Sequence, residues 1–243
     1  MGNRKIVLIT GASGGIGKAI IPVLHEKGYV LALQANTRAK ELEEWLSVNG
    51  IQNAMVFSTE LTDVESCHKL VDHIEKSLGV VSYLLNNAGI NYSGSSHKLA
   101  SVDFDAVLRI NLSVPFYLSA AVAAKMIENN FGRIVHMSSV VAELPIAGTV
   151  AYATSKAGLM AMARTQAADW ARYGITVNCV APGYMDKGMI EQVPDKILEG
   201  LLQQIPSRKL GDAREIGELV AHLFSQEASY VNGQTIGING GLL

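Results

Sequence analysis

Tyr152 and Lys156 are the two side chains in this sequence best placed to move a proton. They are its only tyrosine and lysine four positions apart in that order, a spacing that sets two side chains on one face of a helix. A free phenol titrates near pH ~10, too high for easy exchange at neutral pH. A neighbouring ammonium favours the phenolate and lowers that value, which suits a tyrosine to acid/base work. Hydride reduction of a carbonyl leaves negative charge on oxygen, and that oxygen needs such a proton. Ser139, thirteen positions before Tyr152, carries a hydroxyl that can donate to the same oxygen. Ser138 beside it is chemically identical, and in an extended strand only one of the two can face the site. Taken alone, the Tyr152–Lys156 pair has a plainer reading, an exposed aromatic beside a solvated lysine.

A second group of residues suits phosphate. Thr10-Gly11-Ala12-Ser13-Gly14-Gly15-Ile16-Gly17 directly follows the apolar run Ile6–Ile9, and a helix begins inside it. Glycines there permit a tight turn, let backbone N–H groups approach a pyrophosphate and let the helix pack close to the sheet. The helix N-terminus adds partial positive charge. A turn that is merely glycine-rich is the alternative. If the loop holds a dinucleotide, the end of the second strand selects its type, because NAD enzymes usually place an acid there for the ribose 2′-OH. That position is Ala35, and no carboxylate follows before Glu41. Arg38, with Asn36 and Thr37, could instead bind a 2′-phosphate, for which a guanidinium is suited. Otherwise Arg38 is an exposed residue at a helix start.

The elements that must position these groups alternate along the chain. Strands are expected at Ile6–Ile9, Val30–Gln34, Ala54–Ser58, Tyr83–Leu85, Arg133–Met137 and Ile175–Val180. Helices are expected at Ile16–Lys27, Arg38–Asn49, Val64–Leu78, roughly 101–129 and Thr149–Arg172, with a last one beyond Gly211. Strands without polar alternation, each followed by a helix, imply an α/β fold with one doubly wound, Rossmann-type parallel sheet flanked by helices. No linker divides residues 1–243, so a single domain is expected. Only the segment from Gly183 to Gly211 breaks the rhythm. It reads as a lid over a site or, alternatively, as an ordinary helical excursion.

Composition narrows the function classes. A net charge of −2 gives no pull toward nucleic acid or an anionic membrane. The apolar run at the start stops at Ile9, too short for a signal peptide or a membrane span. Gly2 is not followed by the Ser or Thr that myristoylation needs, since residue 6 is Ile. Cys67 and Cys179 lie far apart, and none of the six histidines has metal-ligand spacing. These observations point to a reduced, cytoplasmic, unprocessed protein without a metal site.

The glycine spacing Thr10-Gly11-x-x-x-Gly15-x-Gly17 resembles the cofactor loop of the short-chain dehydrogenases/reductases. Asn86-Asn87-Ala88-Gly89 is similar to that family's second signature, and Pro182-Gly183 to a further cofactor-side motif. Asn111, Ser139, Tyr152 and Lys156 follow the order and spacing of its catalytic tetrad. The likeness runs from Lys5 to Gly241 and is greatest with the 3-oxoacyl-carrier-protein reductases.

The resemblance implies roles. It selects Ser139 over Ser138, gives Lys156 a second duty on the nicotinamide ribose, and gives Asn111 a water that passes protons between Lys156 and solvent. A buried structural amide is the other reading of Asn111. NADP(H) would then be held by Gly11, Ser13, Gly14, Gly15, Ile16 and Gly17, and by Asn36, Thr37 and Arg38 at its adenosine end. Glu60, Leu61, Asn87, Ala88, Gly89, Tyr152, Lys156, Pro182 and Gly183 complete the implied contacts.

Three departures bear on function. Gly14 stands where many NADP-using relatives carry a basic residue, and Lys187 where relatives carry a threonine against the nicotinamide amide. Asn130 and Tyr173 occupy positions that are basic in relatives docking an acyl carrier protein, leaving Arg133, Arg172, Lys187 and Arg208 to supply charge. The loop Val140–Thr149, with Tyr184, Met185 and Met189, suggests a partly apolar pocket. The expectation is an NADPH-dependent reductase of a 3-oxoacyl thioester on an acyl carrier protein, in fatty-acid or polyketide-type biosynthesis. A ketone reductase or alcohol dehydrogenase acting on free small molecules is the alternative, and a non-catalytic dinucleotide sensor a remote one. A homotetramer is expected, with Ala153, Ala157, Ala161 and Ala168 admitting a second helix, unless those alanines only pack inward.

Overall fold

Four strands are buried at every residue: β1 (Ile6–Ile9), β4 (Tyr83–Asn86), β5 (Gly132–Met137) and β6 (Ile175–Pro182). Strands buried on both faces need cover on both, which a parallel sheet with crossover helices provides. In the computed structural model, which describes residues 5–243, they are joined by β2 (Val30–Ala35), β3 (Ala54–Ser58) and β7 (Thr235–Ile238). The sheet runs β3-β2-β1-β4-β5-β6-β7 and every pairing is parallel. The readings that concern Met1–Arg4 lie outside the described residues.

Because successive strand residues point to opposite faces, each strand feeds two cores. Leu8, Leu84, Ile134 and Val177 pack under α3 (Val64–Ser77), α5 (Val114–Glu128) and α6 (Val150–Trp170). Ile9, Leu33, Leu85 and Val135 pack under α1 (Gly15–Glu26), α2 (Ala39–Val48) and α8 (Ala213–Phe224). The order reverses between β1 and β4, and at such a switch point the crevice beyond the strands' carboxyl ends is where ligands bind.

Two elements differ from expectation. β7 is not foreseen, since its four residues include a glycine and stay partly exposed. The helical region near 101–129 is not one α-helix either. α4 (Ser101–Leu108) passes through a five-residue π turn, Arg109–Ser113, before α5 begins. Among the described residues, Ser101–Glu128 is the one helical stretch long and apolar enough to cross a membrane. It sends Val114, Leu118 and Val122 into the core, as the central helix of a folded domain does.

The excursion between β6 and α8 contains a short 3₁₀ turn, Met189–Gln192, and α7 (Asp195–Gln204). Its two ends are pinned together. Gly211 N–H donates to the Tyr184 carbonyl, Asp186 N–H donates to the Gly211 carbonyl, and the Asp186 carboxylate accepts from Ala213 N–H at 2.9 Å. Met185 is 4% exposed and belongs to the core, so it does not line a pocket as the sequence suggested.

Candidate active site

α6 projects Tyr152 and Lys156 toward the end of β5. Lys156 is 3% exposed, and its Nζ donates to the Met137 carbonyl at 2.7 Å while lying 5.4 Å from the centre of the Tyr152 ring. Burial lowers the Lys156 ammonium to about 8. Burial also pushes the Tyr152 phenol up to about 12, with the Ser139 hydroxyl drawing it down. This corrects the expectation that Lys156 lowers Tyr152. The ammonium is bonded to the Met137 carbonyl, and desolvation of the phenol sets the direction of the shift. Tyr152 is therefore a neutral acid at pH 7, the form that can give a proton.

The two serines divide as strand geometry requires. Ser138 is buried and its Oγ donates to the Lys156 carbonyl at 2.9 Å, fastening α6 to β5. Ser139 faces the site, where its Oγ accepts Val141 N–H at 3.3 Å.

Asn111 lies in the π turn and is fully buried. Its Oδ1 accepts Ile90 N–H at 2.9 Å, and its Nδ2 donates to the Ile90 carbonyl at 2.9 Å and to Ser155 Oγ at 3.1 Å. The side chain is thus a brace between the loop after β4 and α6. Gly89 completes the cluster: a Cβ there would lie 3.4 Å from Lys156 Nζ and 3.5 Å from Asn111 Oδ1.

The glycine loop abuts this cluster. Thr10 Oγ1 accepts from both Asn87 and Ala88 N–H at 3.0 Å, and Asn87 Nδ2 donates to the Thr10 and Gly11 carbonyls. Gly11 has φ +62°, and a Cβ on it would strike Ala88 Cα at 2.7 Å, so only glycine fits. Gln34, which the sequence reading passed over, receives Gly11 N–H on Oε1 at 2.9 Å and donates to the Thr59 carbonyl at 2.7 Å. A polar residue inside an apolar strand was the available clue.

Beyond β2, Asn36, Thr37 and Arg38 are all exposed. Glu41, the nearest carboxylate, pairs with Lys18 at 2.7 Å, whereas Arg38 forms no ion pair among the described residues. Glu60 is exposed, but the Leu61 side chain belongs to the core. Pro182 ends β6, and Gly183 N–H donates to the Ile238 carbonyl at 2.9 Å, holding that corner to β7. Ser13 is 8% exposed, and Gly14 and Ile16 are partly exposed along the loop. The loop's tight glycine contacts and free helix start fit the pyrophosphate of a dinucleotide. No cluster of metal-ligating side chains occurs among the described residues.

A buried polar chain beneath the site was also missed. Asn86 Nδ2 lies 3.1 Å from His136 Nδ1, whose Nε2 lies 3.1 Å from Gln166 Oε1. An amide N–H must donate to Nδ1, so the proton sits on Nε2. Burial holds the imidazole down at about 4, so it is neutral at pH 7.

The outer charges change as well. Arg133 is 2% exposed, donates to the Gly132 and Gly174 carbonyls, and stacks over Phe131, so it cannot meet a partner as the sequence suggested. Asn130, Arg172, Lys187 and Arg208 are exposed and Tyr173 partly so; on α6, Ala161 and Ala168 are exposed and Ala153 and Ala157 partly buried.

Residues 11–243 match the model of a family described as enoyl-(acyl carrier protein) reductase. Nodulation protein G of Rhizobium sp. (strain N33) is 39% identical over 235 residues, 97% of this chain and 95% of that protein. The 3-oxoacyl-[acyl-carrier-protein] reductase of Escherichia coli is 37% identical, over 98% of this chain and 97% of its own. A crystal structure of a proposed gluconate dehydrogenase from Agrobacterium tumefaciens superposes with a TM-score of 0.92 at 27% identity, covering 99% of this chain and 96% of that one.

Proposed function

The chain belongs to the short-chain dehydrogenase/reductase family of oxidoreductases, and from that premise we propose that it reduces a 3-oxoacyl thioester to the 3-hydroxy compound with NADPH. The observation that carries this is the meeting of Tyr152, Lys156 and Ser139 beside the glycine loop, at the sheet's switch point. NADPH, when bound, supplies the hydride. The glycine loop and the Asn87-Ala88-Gly89 turn would hold its pyrophosphate and ribose, Arg38 with Asn36 and Thr37 its 2′-phosphate, and Pro182-Gly183 its nicotinamide side.

Ser139 orients the substrate carbonyl by donating to its oxygen, and Tyr152 gives its phenolic proton to that oxygen. Lys156, held by Met137, then stands beside the phenolate with a compensating charge. Asn111 keeps the Ile90 loop and α6 at fixed separation, so that Gly89 and Lys156 stay in register. We read the protein as a single-domain cytoplasmic enzyme and a homotetramer joined through the outer face of α6.

A second reading, reduction of a free ketone, is favoured by the docking surface. With Asn130 and Tyr173 in place of basic residues and Arg133 buried, few cations remain to steer an acidic carrier. NADPH oxidation should be measured with matched acyl groups on a carrier and on a small thiol, at low and high salt, alongside free ketones. A carrier advantage that collapses with salt would establish the carrier-linked role. Activity confined to free ketones would refute the thioester reading.

A further inference from the structure

The glycine loop meets a carboxylate from the chain itself. α1 begins at Gly15 with no acidic residue in its first turn and no side-chain cap at Gly14. Gly15, Ile16 and Gly17 N–H find no backbone acceptor among the described residues. A helix start of this kind favours an anion. The anion nearest it is Glu191. A Cβ built on Gly15 would lie 2.8 Å from Glu191 Oε2 and 2.5 Å from Gly188 N, so the carboxylate stands where a side chain on that glycine would be.

Its placement is built rather than incidental. Gly188 N–H donates to Glu191 Oε2 at 2.7 Å, closing the turn that opens the 3₁₀ segment Met189–Gln192. Gly188 has φ +91°, a conformation that favours glycine, and a Cβ there would sit 3.5 Å from Ile16 Cγ1. The turn therefore lies close against the loop, leaving no room for a side chain on Gly15. Glu191 forms no ion pair among the described residues, so no cation neutralises the charge it brings there.

We infer that Glu191 occupies part of the dinucleotide's pyrophosphate place and is displaced when the cofactor binds, making it a determinant of cofactor affinity that couples binding to movement of the 188–192 turn. The inference rests on the dinucleotide reading of the glycine loop. Two anions cannot share one helix start without repulsion, so the carboxylate must leave as the pyrophosphate arrives. It raises the Kd for any dinucleotide while excluding smaller anions and keeping the lid against the loop in the free protein.

Glu191→Gln keeps the hydrogen-bond acceptor for Gly188 and removes only the charge. NADPH binding to the full chain should be titrated by cofactor fluorescence at low and high salt for wild type, Glu191→Gln and Glu199→Gln, the last removing an exposed charge on α7. The Kd of Glu191→Gln is expected to fall about tenfold at low salt, with the gain shrinking at high salt and Glu199→Gln unchanged. An unchanged or weaker Kd in Glu191→Gln, or an equal gain in Glu199→Gln, overturns the inference while leaving the cofactor reading intact. Absence of NADPH and NADH binding in all three proteins overturns both.

Discussion

Replacing Asn111 by alanine separates bracing from chemistry at this position. The substitution removes three hydrogen bonds, two to Ile90 and one to Ser155, from a fully buried side chain. At about 1 kcal/mol net for each bond, the loss is roughly 3 kcal/mol, and stranding the Ile90 N–H and carbonyl without partners pushes it upward. For a chain of this size, each kcal/mol moves the midpoint by about 2–4 °C, so Tm should drop by roughly 10 °C. Thermal unfolding followed by circular dichroism without dinucleotide measures this directly. Turnover should fall as well, because Ile90 adjoins Gly89, where an added Cβ would lie 3.4 Å from the Lys156 ammonium. A shift of less than about 2 °C with lost turnover would show that the amide braces nothing and acts only on protons.

Tyr152→Phe should abolish turnover yet leave Tm and NADPH affinity near wild type; retention of a few per cent of the rate or more would remove Tyr152 as the acid. Arg38→Ala should raise KM for NADPH and leave NADH almost unchanged, and a wild-type preference for NADH would refute the 2′-phosphate assignment. His136 titrates at about 4 when folded against an ordinary 6.5, so the unfolded chain holds the extra proton between those values. Its contribution to stability is full above pH ~6.5 and is lost as pH falls toward ~4, by up to about 3 kcal/mol. Urea unfolding at pH 7 and 5 should show this loss, and His136→Gln should flatten it; an equal slope in the variant would sink the assignment.

The five inner strands were legible because burial on both faces leaves largely apolar runs, and Tyr152 and Lys156 because helical spacing is written in residue number. What escaped depends on partners distant in sequence. β7 is paired along β6, and the segment leading into it is held there by Gln234 N–H donating to Asn178 Oδ1 and by Asn232 Oδ1 accepting from Val177 N–H. The phenol's upward shift needs the enclosure that only the folded site provides. Arg133 looked like a surface charge because arginine usually is one; its burial follows from lying in β5 with every neighbour in that strand also buried. The Asn86–His136–Gln166 chain joins two strands and a helix, and no local pattern announces it.

The π turn at Arg109–Ser113 makes the spacing between two faces of one continuous helix a matter of single residues. Val107 on one side and Val114 on the other both reach the core across it. Each α-helical residue turns the chain by about 100°. Deleting one residue within 109–113 would let the segment relax to a uniform α-helix, but it would also draw every later residue one place back along the chain. Leu118 or Asn111 could then keep its present direction, but not both. The stretch should therefore accept substitutions far more readily than changes of length, and any homologue that aligns through it with a gap would have to rebuild the brace to Ile90 from another side chain.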